Sequence, residues 1–142
     1  AGLAGKNGYC PISGQTMASL SDPYIHIVGD SADSVVMSRS ASSAAVQAVI
    51  AAGSILRELL NKTIPETELV ATCWAILGDS DAIKLKERYK VEDDVIGIAE
   101  REVSNVDDTV AIRQAEAAGV KAWYEKMIAK MYFDGNYDMR AE

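Results

Sequence analysis

The chain has 142 residues and a mass of 15.2 kDa, with 49% apolar and 25% charged side chains, the range of an ordinary globular domain. A domain of this length buries roughly 68% of its unfolded surface, so a core can form without metal or disulfide support. Fourteen Lys and Arg against 21 Asp and Glu give a formal charge of −7, the wrong sign for gripping a phosphate backbone, and no nucleic-acid partner is expected.

Cys10 and Cys73 are far apart and fall in neither C-x-x-C nor zinc-ligand spacing, so they are expected to be buried or incidental thiols. Ala1 to Gly8 lacks the apolar run of a signal-peptide core. Ser40 to Leu56 is uncharged, but Ser42, Ser43, Gln47, Gly53 and Ser54 interrupt it. It falls short of the roughly 20 strongly apolar residues that cross a bilayer. The expectation is a soluble chain without a membrane span, cytoplasmic or held within an assembled particle.

Gly2, Gly5, Gly8, Pro11, Gly14 and Pro23 make residues 1–23 an irregular arm. Tyr24-Ile25-His26-Ile27-Val28 is β-branched and aromatic, ends at Gly29, and predicts one short strand. A lone strand leaves backbone donors and acceptors open, so it must pair with the arm, offer an edge to another chain, or not be a strand.

From Asp30 the pattern predicts helix. Val35, Val36, Met37, Val46, Val49, Ile50, Ile55, Leu56, Leu59 and Leu60 follow a capping Asp30 or Ser31 without a proline. Ala41, Ala44, Ala45, Ala48, Ala51, Ala52 and Gly53 give it a small-residue surface. Continuous from Ser31 to Leu60 it spans about 45 Å, against about 37 Å for a compact globule of this length.

Thr63-Ile64-Pro65-Glu66 is a capping box with an early proline, and Leu69, Val70, Cys73, Trp74 and Leu77 predict a second helix closed by Gly78. Asp79 to Lys90 predicts a short third helix, with Ala82, Ile83, Leu85 and Tyr89 as its thin apolar set. Glu92, Asp93 and Asp94 open a fourth, with Val95, Ile98, Ala99 and Val103 inward, ending near Asn105. Asp107 caps a fifth running towards Phe133, faced by Ile112, Ala115, Gly119, Trp123, Met127 and Met131 and ended by Asp134-Gly135-Asn136. The predicted fold is mainly α: an arm with one strand (1–29), then an elongated bundle of about five helices (30–142).

Candidate chemistry is thin. Ile25-His26-Ile27-Val28-Gly29-Asp30-Ser31 resembles the nucleophile block of the GDSL (SGNH) hydrolases, which implies Ser31 as the attacking hydroxyl. That family draws its base from a downstream Asp-x-x-His block, whereas the sole histidine, His26, lies upstream. The second triplet, Gly78-Asp79-Ser80, repeats the pattern, and both are explained by a breaker glycine before a helix cap. One histidine cannot build an imidazole metal site, and Glu66, Glu100 and Glu102 lack the Glu-x-x-His of di-iron bundles. Asp134 to Asp138 begins like a calcium loop, but Met139 stands where glycine is required. Gly2-Leu3-Ala4-Gly5-Lys6 lacks P-loop spacing. No catalytic, metal or cofactor residues are expected.

Charge is uneven: residues 1–60 carry three basic and four acidic groups, residues 61–142 eleven and seventeen. The nearly uncharged first half suggests subunit contacts, with Tyr24, Ile25, Ile27, Val28, Val35, Val36, Ala41, Ala45, Ala48 and Ala52 as the interface. The expected function is a non-enzymatic subunit that assembles with copies of itself into a shell, tube, ribbon or filament. Val28-Gly29-Asp30-Ser31-Ala32 is similar to a segment of the refractile-body ribbon proteins. The alternative is a small accessory or ligand-binding subunit of an enzyme complex, with Trp74, Trp123 and the methionines lining a site or partner groove. A GDSL-like serine hydrolase is the remote third reading.

Overall fold

The computed structural model describes residues 2–34, 36–61, 68–105 and 107–132. In chain order these form helix α1 (Ala41–Leu60), strands β1 (Val70–Gly78), β2 (Asp81–Glu92) and β3 (Val95–Val103), and helix α2 (Val110–Tyr132). The strands make one antiparallel sheet in the order β1-β2-β3. The predicted five-helix bundle is therefore wrong: strand occupies 30% of the chain and helix 36%. The chain divides into two compact units, one of Ala1–Cys73 with Leu85–Glu102 and one of Trp74–Lys84 with Val103–Glu142.

Both hairpins are tight. Asp79-Ser80 joins β1 to β2, and Asp93-Asp94 joins β2 to β3 with φ of 50° and 63°. Positive φ at both central residues is what a type I′ turn needs to match strand twist. The acids at 92–94 thus turn a hairpin instead of opening a fourth helix. The second and third predicted helices are β1 and β2. The capping box at 63–66 lies outside the described residues, as do the stop signal and the calcium-like run at 134–138. The fifth predicted helix is present as α2.

The long first helix is shorter than expected. It starts at Ala41, where the Ser40 hydroxyl accepts the Ser43 N–H at 3.2 Å, and ends at a left-handed Asn61. Upstream, Gly29–Ser31 is a single 3-10 turn that Ala32 leaves in extended conformation. Ala32 then bridges Cys10 in parallel, so its backbone is not free to continue a helix. In length and composition α1 passes for a membrane-crossing helix. It nonetheless turns Ser43, Gln47 and Ala51, spaced by four, into the protein.

The arm packs where the sequence predicts an element without a core. Met17 is completely buried and joins Met37, Ala51, Ala71, Tyr89 and Ile96 in the core of the first unit. The predicted strand at Tyr24–Val28 reduces to an isolated antiparallel bridge between His26 and Ala18. Its hydrogen bonds are internal: Ser19 N–H donates to the Ile25 carbonyl at 2.7 Å, and Ile27 N–H to the Met17 carbonyl at 2.9 Å. The backbone demand that called for a neighbouring molecule is met by the arm itself.

Candidate functional site

Two groupings stand out, one in each unit. In the first unit, β2 buries Glu87 and Tyr89 on one face, two residues apart, as strand alternation requires. Tyr89 donates its hydroxyl to Glu87 Oε2 at 2.5 Å. The other carboxylate oxygen accepts from Arg101 of β3, Nε at 2.8 Å and Nη2 at 2.6 Å. Glu87 is only 3% exposed, so the ion pair and the phenol compensate a carboxylate withdrawn from water. The phenol is pushed up to about 12, first by burial and next by its hydrogen bond to Glu87.

Ser38 extends this chain. Its backbone and hydroxyl act on the Tyr89 phenol in the opposite direction, favouring the phenolate. Its hydroxyl lies 2.9 Å from Ser43 Oγ, 3.1 Å from Ser40 Oγ and 3.6 Å from the Cys73 sulfur. Hydrogen bonds thus run from half-exposed Arg101 through Glu87 to Tyr89, and a second set joins Ser38 to the N-cap of α1. On the same helix, buried Gln47 accepts the Gly29 N–H at 2.6 Å and donates to the Met37 sulfur at 3.4 Å. This explains the Gly-Asp-Ser turn structurally: Gly29, at φ 76°, hangs on α1. Among the described residues no hydrogen bond joins Ser31 to His26, so the hydrolase resemblance gains no base.

In the second unit, Trp74 of β1 and Trp123 of α2 meet with ring centroids 5.2 Å apart and planes tilted by 49°. Arg113 of α2 forks onto Asp81, Nε to Oδ1 at 2.5 Å and Nη2 to Oδ2 at 2.7 Å. Asp81 holds the guanidinium above its ordinary value. Lys84 Nζ lies 3.4 Å from Glu116 Oε1.

The predicted interface residues scatter. Tyr24 is 85% exposed, Ile25 and Val28 are partly so, and Ala41, Ala45 and Ala48 are exposed on α1. Ala52 is half-buried, Val36 packs on the core, and Ile27 is buried outright, which removes it from any outer surface. Val35 lies outside the described residues. Cys10 and Cys73 are free and half-buried. Among the described residues no three His, Cys, Asp or Glu side chains gather as metal ligands.

Sequence reading missed the Glu87–Tyr89–Arg101 network. The signal was available in the alternation Ile83, Leu85, Tyr89 and Val91, which Glu87 interrupts at an inward position. It did single out the two tryptophans, as lining one site or partner groove, but on two helices instead of a strand and a helix.

The sequence model of the family described as flavocytochrome c sulphide dehydrogenase, flavin-binding, matches residues 65–132, a little under half of the chain. The match takes in the three strands and α2. Together with the internally satisfied arm, it overturns the reading of a self-assembling structural subunit of a shell or filament.

Proposed function

We propose that this chain is a flavoprotein-associated domain of an oxidoreductase. The observation that carries the reading is the family match over 65–132, which coincides with the sheet and α2. It favours the accessory or ligand-binding subunit over the assembling one. The family description couples a flavin to a cytochrome c and to sulphide oxidation. On this reading the chain works beside a cytochrome subunit that accepts electrons, and belongs to an enzyme.

The described residues fit a flavin only in part. A planar, apolar isoalloxazine stacks well on indole, and the half-buried Trp74 and Trp123 meet within the matched segment. No buried side-chain nitrogen or oxygen among the described residues lacks a partner, so no polar cradle waits for a ligand there. A shallow cavity of about 200 Å³ in the first unit is lined by Asp33 and Asp94 with Pro11, Ile12 and Ile96, the wrong charge for a phosphate tail. On this reading the described residues supply one wall of a flavin site, and no reaction step is assigned to them.

Titrating the chain into riboflavin, FMN and FAD, with flavin fluorescence as the readout, tests this reading. Weak but saturable quenching, similar for all three, is expected, because the ring is held and the phosphates are not. Strictly linear, collisional quenching for all three would overturn it.

A further inference from the structure

We propose that α2 is a hinged flap, clasped to the β1–β2 hairpin by ionic pairs, whose release uncovers Trp74 and the apolar end of β1. The inference concerns the same indole pair as the flavin reading but is argued from the ionic pairs, and it lies within the second unit.

The clasp is built from four side chains. Asp81 and Lys84 belong to β2, and Arg113 and Glu116, three residues apart, share one face of α2. Arg113 engages both oxygens of Asp81, and Lys84 reaches Glu116. Seven residues further along, about two turns, Trp123 meets Trp74. The helix is thus held by charge near its N-terminus and, beyond, by the indole contact and a half-buried face that includes Val120, Met127 and Ile128.

What α2 lacks is a buried stripe. None of its side chains described is buried, and Val110, Ile112, Tyr124 and Tyr132 are 44% to 72% exposed. A helix held by the hydrophobic effect sinks a continuous apolar face. Here the inward positions near the start of the helix are an arginine and a glutamate. The clasp is partly open to solvent: the Arg113 and Asp81 side chains are 24% and 41% exposed, those of Lys84 and Glu116 23% and 12%. Ionic contacts that water and salt can reach weaken as ionic strength rises. On the Trp74 face of β1, two residues along, Ile76 is already 68% exposed, so opening extends that apolar surface to Trp74.

The two tryptophans are the only ones in the chain, so their coupled-indole band in far-ultraviolet circular dichroism reports the closed flap alone. Raising salt from about 0.01 M to about 1 M is expected to remove half or more of that band and to increase acrylamide quenching about twofold. The amide helical signal stays. Arg113→Ala should show the open signature already at low salt, and the exchange Asp81→Arg with Arg113→Asp should restore the band. A band indifferent to salt and to Arg113→Ala would overturn the proposal. So would a band lost only together with the helical signal, which makes α2 part of a cooperative core, or a charge exchange that fails to restore it.

Discussion

Gly14 donates its backbone N–H to the carbonyl oxygen of Asp94 at 2.9 Å, and a Cβ on Gly14 would stand 2.7 Å from that same oxygen. The tip of the β2–β3 hairpin is therefore seated directly on the arm. The Asp94 carboxylate completes the joint, accepting from Ser13 Oγ at 2.7 Å and from the Gln15 N–H at 3.0 Å. Gly14→Ala must push backbone away from backbone, which no rotamer change relieves. A loss of about 1–3 kcal/mol is expected in urea denaturation, at the scale of overpacking. Unchanged stability would show that the joint is looser than this geometry.

The two turn aspartates should respond in opposite ways. Both have left-handed φ, which glycine adopts more easily. Asp93 is exposed, so Asp93→Gly is expected to leave stability unchanged or raise it by up to about 1 kcal/mol. Asp94→Gly gains the same freedom but loses the contacts to Ser13 and Gln15, and should destabilise by about 1–2 kcal/mol. Urea midpoints for the pair separate turn conformation from anchoring.

These turns also show why the fold was only partly legible in the sequence. Gly78-Asp79-Ser80 and Glu92-Asp93-Asp94 each combine a helix-capping signature with a hairpin signature, and capping was the wrong choice twice. Strand alternation in β2 is broken by Glu87, whose burial depends on Tyr89 and on Arg101 of another strand. A partner 14 residues away leaves no local periodicity to read. Similarly, Met17 sits among polar and small neighbours in the arm, and only its contacts with Met37, Ala71 and Tyr89 make it core. Where the signal was local, at Ser40 to Leu60 and along α2, helix was legible. The tryptophans were visible as residues, but their meeting needed the β1 strand that had been read as helix.

Tyr89 makes stability at high pH a direct probe of the buried network. Its folded value of about 12 lies above the ordinary 10, so the folded state holds the phenolic proton more tightly than the unfolded state. This contribution is complete below pH 10 and is lost as pH rises from 10 to 12. A difference of this size, screened in part by solvent, corresponds to about 1–2 kcal/mol. Unfolding free energy in the wild type should fall by that order across the window, and Tyr89→Phe should remove this component. A slope retained in the Phe variant assigns it to other groups.

Gln47 offers a test of how the Gly29–Ser31 turn is held. Gln47→Leu keeps the volume but leaves the Gly29 N–H without its acceptor, and a cost of about 1–3 kcal/mol is expected. Hydrogen exchange at Gly29 should quicken more than at Ala44 in the first turn of α1. Equal acceleration at both positions would indicate global destabilisation instead.

The proposed function has the segment matching the flavin-binding family offer its indole pair to the flavin ring. The decisive comparison is the riboflavin affinity of the wild type against that of Trp74→Ala. Saturable binding weakened by about tenfold in the variant is expected, the loss of one well-placed stacking contact of about 1.4 kcal/mol. Equal affinity in the two proteins, with the fold of the variant intact by circular dichroism, would contradict it.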